Sequence, residues 1–177
     1  MSAVARADVA ARALLEQSGM NTFPVDPQWI AEHALGVVVA EASMSSDVSG
    51  MLVREPARIV IGVNADHHPN RQRFTISHEL GHLELHRGRP VIMDSDVRVN
   101  FRDKVSSLAT DREEVEANRF AAALLMPEHM VRPWVAAESF ASAEQLVEQL
   151  AKQFEVSASA ANFRLVNLGI IPTPVDP

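Results

Sequence analysis

The chain has 177 residues, 47% of them hydrophobic, and a formal charge of −7 from 16 basic and 23 acidic side chains. That length fits one domain, residues 1–177, with a sizeable core, and the apolar fraction excludes a disordered chain. Cysteine is absent, which excludes disulfides, thiolate metal sites and a cysteine nucleophile, and the acidic balance weighs against a protein that grips nucleic-acid phosphates.

In chain order, residues 1–18 read as an Ala-rich amphipathic helix that Gly19 stops. The N-terminus lacks the basic-then-apolar layout of a signal peptide, and no apolar run reaches the length of a membrane span. The expectation is a cytoplasmic protein with no membrane partner. Asp26 followed by Pro27 reads as an N-cap with proline at the first position of a second helix, ending near Leu35. Gly36 then releases the chain into a short β-branched strand over residues 37–40. Residues 50–53 and 58–63 are two more strands, joined at Glu55-Pro56 as a hairpin, so a small antiparallel sheet is expected.

A helix is expected over residues 68–86, then a long polar loop over 87–111 with a short strand at 91–93. Helix resumes at Asp111 and runs to Met126, where Pro127 ends it. Two further helices are expected over 142–154, with an apolar stripe of Leu146, Val147, Leu150 and Phe154, and over 157–167, ended by Gly169.

The third helix carries His78-Glu79-Leu80-Gly81-His82. At 3.6 residues per turn, residues four apart lie only roughly 40° apart around the axis, so His78 and His82 can aim at one point and hold a zinc ion. Glu79 is displaced round the helix, where it can take a proton from a metal-activated water. The competing reading is a surface helix with two unrelated histidines. A catalytic zinc takes a third protein ligand, and Glu113, Glu114 and Glu116 are the candidates on the next helix. Glu114 and Asn118 share a face there, and Glu116 points away from it. Acidic residues also crowd helix N-termini for dipole reasons alone.

The run from Arg73 to His86, containing Phe74-Thr75-Ile76-Ser77-His78-Glu79-Leu80-Gly81-His82, resembles the first signature of the ImmA/IrrE-type metallopeptidases. The run from Glu114 to Pro127, with Glu116-Ala117-Asn118-Arg119-Phe120-Ala121, resembles the second, and a weaker echo spans Val156-Ser157 and Arg164 to Gly169. The likeness covers roughly residues 5–170. It implies an α+β, compact zincin-like domain: N-terminal helices, a small sheet, the active-site helix and C-terminal helices. It implies zinc, with manganese(II) as an alternative ion, held by His78, His82 and Glu114, with Glu79 as general base. Asn118 would orient a ligand histidine, and Glu113 and Glu116 stay as rivals for the third ligand. Members of this family are similar in cleaving helix-turn-helix repressors, which release stress-response, phage or mobile-element genes, and others sit in toxin–antitoxin-like pairs.

The expected function is therefore a zinc endopeptidase with a helix-turn-helix repressor as protein substrate and no direct nucleic-acid partner. The alternatives are a toxin-like or partner-binding module, and a metal-bearing domain without proteolysis. No tyrosine is available to steady an oxyanion, which leaves His86, His129 or an arginine of the 87–102 stretch. For His86 the plainer role is to cap or pack its helix. His67 and His68 at a turn, and His33 beside Trp29, read as surface residues. No Gly-x-Ser-x-Gly elbow supports a serine hydrolase. Residues 145–168 imitate a helix-turn-helix, yet the second helix offers only Arg164 to phosphates, so packing against the catalytic helices is the better reading.

Overall fold

A computed structural model describes residues 3–86, 91–95 and 104–173. Helix α1 spans Ala3–Ser18, and α2 spans Pro27–Trp29 and runs on as a π turn over Ile30–Ala34. Strands β1 (Val38–Ala42), β2 (Val48–Arg54) and β3 (Ile59–Asn64) follow, then α3 (Pro69–Leu85), β4 (Val91–Ser95) and α4 (Lys104–Leu125). The chain continues through α5 (Glu128–Ala137), α6 (Ala143–Phe154) and α7 (Ala158–Asn167). The α+β architecture is the expected one.

Local chemistry fixes most boundaries. Asp26 accepts a hydrogen bond from the Trp29 N–H at 2.9 Å, with Pro27 starting the helix as expected. The His68 imidazole caps α3 by accepting from the Asn70 N–H at 3.2 Å, and Ser142 and Ser157 cap α6 and α7. Gly19, Gly36 and Gly169 each take positive φ (71°, 64° and 66°) at the end of a helical segment, where a Cβ would be strained.

The sheet order is β1-β3-β2-β4, and the sheet is mixed rather than purely antiparallel. β2 pairs antiparallel with both β3 and β4, as a hairpin implies, but β1 lies parallel to β3. The reason sits in one buried side chain. Asn64 at the end of β3 donates to Ser45 O at 3.2 Å and Val48 O at 2.8 Å and accepts from the Met44 N–H at 3.3 Å. The link from β1 to β2 is thereby stapled across the end of β3, which leaves β1 to pair beside β3.

Two further corrections concern helices. α4 begins at Lys104, seven residues before the expected start. Residues 104–110 are rich in Ser and Thr, yet contain no glycine or proline to stop a helix extending backward from its packed segment. Helix α5 was not expected at all. Pro127, read as a terminator, also stands as the N-cap residue of α5, and Pro133 inside it disguises the pattern, while Met130 and Val131 are buried. The short strand expected at 91–93 is there, within β4; the rest of the 87–103 stretch lies outside the described residues.

Helix α3 is buried along Thr75 to His82, which rules out the surface-helix reading of the motif. It packs on β2 and β3 on one side and on α4 on the other. Gly81 makes the second contact close: a Cβ there would stand 3.0 Å from Ala117 Cα and 3.2 Å from Phe120 Cβ. Leu52, Ile61, Leu80, Phe120, Leu124, Leu150, Phe154 and Leu165 fill the core around it. Arg164 is 2% exposed. Its guanidinium donates to Met126 O at 2.9 Å and Asp8 at 2.6 Å, and Arg119 donates to the same Asp8 at 2.6 Å. The one cation that a DNA-reading α7 would present thus ties α7 to α1 and α4 instead.

Candidate metal centre

Two adjacent helices build the centre. His78 and His82 share one face of α3, and their Nε2 atoms are 3.0 Å apart. Glu114 on α4 closes the triangle, with Oε2 at 3.2 Å from His78 Nε2 and Oε1 at 3.3 Å from His82 Nε2. Among the described residues these three form the cluster able to hold an ion, and neither Glu113 nor Glu116 belongs to it. Both histidines are buried, and Glu114 is 37% exposed toward the cleft.

The donor set fits a metal. An ion in tetrahedral coordination with bonds of about 2.0–2.1 Å holds its ligand atoms about 3.3 Å apart, close to the three observed edges. With their hydrogens on Nδ1, the two Nε2 atoms, 3.0 Å apart, can present lone pairs to one ion. Two histidines and a glutamate are also the ligands of a known class of catalytic zinc sites. Burial raises the Glu114 pKa, but hydrogen bonds and charge from His78 and His82 more than reverse this and hold it well below the usual carboxylate range. Burial lowers the His82 pKa, opposed in part by Glu114, which keeps the ring neutral and its nitrogen available.

Glu79 is fully buried and stands outside the triangle, as its helical offset requires. Its carboxylate faces β2: a Cβ on Gly50 would lie 3.6 Å from Glu79 Oε1 and 2.4 Å from Thr75 Cγ2. Only glycine at position 50 lets the strand approach α3 this closely. Arg54 of β2 donates to the His82 and His86 carbonyls, both at 2.9 Å, and its charge attracts Glu79. A cleft of about 370 Å³ opens onto His78 and Glu114, bounded by Ser49, Arg71, Phe74 and Asn118. A larger groove of about 1060 Å³ adjoins it through Arg71, Phe74 and Asn118, with the exposed Val115 and Phe163 on its walls.

The surrounding residues sort as follows. Asn118 Oδ1 lies 3.1 Å from His78 Nδ1, the orienting contact implied by the resemblance. Glu116 points away from Glu114, as helical geometry requires, but toward His86, with Oε2 at 3.1 Å from His86 Nε2. Sequence reasoning missed that pairing; the spacing of His86 four residues after His82 was the available signal. His86 stands behind His82, Nδ1 to Nδ1 at 3.0 Å, so it does not reach the cleft as an oxyanion donor. His129 is exposed at the start of α5 and lines neither cleft nor groove. The arginines of the 87–102 stretch, the third expectation for that role, lie outside the described residues. His33 stacks on Trp29 at 4.9 Å on the surface, and His68 is exposed at its cap.

Residues 32–166 match the family described as the IrrE N-terminal-like domain, a peptidase family. The radiation response metalloprotease IrrE of Deinococcus radiodurans is 34% identical over 119 residues, which cover 67% of this chain and 34% of the relative. The protein of the same name from Deinococcus deserti is 30% identical over 112 residues, covering 63% and 37%. The chain thus spans about a third of the length of these relatives. An uncharacterized immunity region protein 2 of Bacillus phage phi105 is 25% identical over 139 residues and covered to 78%, as is this chain. Among solved structures, a Mycobacterium tuberculosis transcriptional regulator shares the fold, with a TM-score of 0.58 at 22% identity over 91% of this chain and 46% of its own.

Proposed function

Because the chain belongs to the IrrE N-terminal-like peptidase family, we propose that it is a zinc-dependent endopeptidase that cleaves a helix-turn-helix transcriptional repressor. The observation that carries this reading is the convergence of His78 Nε2, His82 Nε2 and a Glu114 carboxylate, with buried Glu79 one position along the same helix. When bound, zinc supplies a Lewis acid for the scissile carbonyl and lowers the pKa of a water to about 7. Glu79 takes the proton of the attacking water and returns it to the leaving amine. Arg54, attracted to Glu79 and bonded to two carbonyls at the end of α3, holds that end of the helix against β2.

The substrate class is supported by chemistry and by kinship. An extended segment can add to an edge strand of the sheet; among the described residues β4 is the edge that neighbours β2, the strand lying against Glu79. The apolar walls of the adjoining groove suit hydrophobic side chains flanking the scissile bond. One relative is named for a radiation response and another for a phage immunity region. Action on a repressor places the protein in the cytoplasm.

The test is incubation with a repressor encoded beside its own gene. Wild type should make a single cut, blocked by a chelator and restored by zinc. Glu79→Gln should bind zinc and repressor but cut at least about 10²-fold more slowly. Zinc-loaded wild type that holds the repressor intact would instead favour a partner-binding module.

A further inference from the structure

Behind His82, on the side away from Glu114, a second buried row runs from α3 to α4. His82 Nδ1 lies 3.0 Å from His86 Nδ1, and His86 Nε2 lies 3.1 Å from Glu116 Oε2. The His86 and Glu116 side chains are 7% and 5% exposed. We infer that Glu116 and His86 are positioning residues that hold the His82 proton on Nδ1 and so leave Nε2 bare for the metal. The inference rests on the metal-centre reading above.

The polarity of the row follows from what each group can donate. An ionised carboxylate only accepts, so the hydrogen between Glu116 and His86 belongs to His86 Nε2. A neutral imidazole carrying its hydrogen there has a lone pair at Nδ1. The contact between the two Nδ1 atoms then takes its hydrogen from His82. A neutral His82 with hydrogen on Nδ1 has its free lone pair on Nε2, the atom facing His78 and Glu114. The arm to His78 is less strict, because an amide such as Asn118 can present either oxygen or nitrogen, whereas Glu116 cannot donate.

The row is held at both ends. Arg112 Nε lies 3.2 Å from Glu116 Oε1, and Arg6 Nη1 lies 3.9 Å from Oε2, which fixes the carboxylate. The His86 N–H donates to His82 O at 3.1 Å, and Arg54 spans the carbonyls of both residues. A purely structural role, tying the end of α3 to α4, would use the same contacts but would not set the tautomer of His82.

Zinc affinity by chelator competition separates the two roles, measured on wild type, His86→Ala, Glu116→Ala, Glu116→Gln and the double alanine variant, with folding followed by thermal melts. Each single alanine variant should bind zinc about 10–100-fold more weakly. The double variant should lose no more than the weaker single one, because Glu116 acts only through His86. Glu116→Gln, whose carbonyl oxygen still accepts from His86, should recover most of the loss. Single variants at wild-type affinity, or losses that multiply in the double variant, would overturn the relay alone. A wild type that binds no zinc would overturn the metal centre and the relay with it. If the alanine variants do not fold, ¹⁵N spectra of zinc-loaded wild type decide. Hydrogens on His82 Nδ1 and His86 Nε2 support the relay, and a hydrogen on His86 Nδ1 overturns it.

Discussion

Glu114 and Glu116 stand two residues apart on α4 and serve different histidines, because two residues of helix turn a side chain by roughly 200°. Glu114 meets the Nε2 atoms of His78 and His82, whereas Glu116 meets His86. Removing each should therefore fail differently. Glu114→Ala leaves two protein ligands, too few for a catalytic zinc, and should reduce bound metal to a trace in dialysed protein. Glu113→Ala should leave metal content at the wild-type level, since that side chain lies outside the cluster. Elemental analysis of the two variants checks the ranking, and full occupancy in Glu114→Ala would refute the ligand set. The acidic run alone left three glutamates in contention; what separates them is the rotation of α4 against α3, which packing sets and local sequence does not carry.

Between elements, the decisive distance is that between α3 and α4 at Gly81. A methyl there would meet Ala117 Cα at 3.0 Å and Ala117 O at 3.2 Å, and neither is a flexible side-chain end. Gly81→Ala gains about 1 kcal/mol of helix propensity but must part the helices by a few tenths of an ångström, which stretches the triangle between His78, His82 and Glu114. The expected outcome is weaker zinc binding, read by chelator competition, in a protein whose helix content by circular dichroism is unchanged. Wild-type affinity would show that the two helices are not held at this spacing. The same elements show what a sequence can and cannot reveal. The first, third, sixth and seventh helices were legible because caps and stops are local: Gly19, Pro69, Ser142 and Ser157 announce themselves. The His78/His82 pair was legible because four-residue spacing on a helix is fixed geometry. The parallel pairing of β1 with β3 was not, since it depends on Asn64 reaching back across a loop some twenty residues earlier in the chain. Helix α5 was hidden by Pro133, and the first turns of α4 by a composition rich in Ser and Thr.

At the scale of the molecule, two of the ties between the helices, among the described residues, should respond to different perturbations. One is the metal centre, which joins α3 to α4 only when an ion is bound. The other is Asp8, which receives Arg119 and the buried Arg164 and so joins α1 to α4 and α7 without any metal. Burial lowers the Arg164 pKa, with Asp8 opposing it, so this cation relies on its partner. Asp8→Ala strands it and should cost about 3 kcal/mol in urea unfolding. On the proposed reading, zinc held only by the folded chain should stabilise wild type by about 2.7 kcal/mol at a free concentration one hundred times the dissociation constant. Because Asp8 contacts neither His78, His82 nor Glu114, the zinc increment should be the same in Asp8→Ala as in wild type, and the two effects should add. In His78→Ala the increment should vanish while the Asp8 contribution persists. Zinc stabilising His78→Ala as much as wild type would mean that the ion binds elsewhere. An increment lost in Asp8→Ala would mean that the α1–α7 tie, not only the α3–α4 contact, sets the geometry of the metal centre.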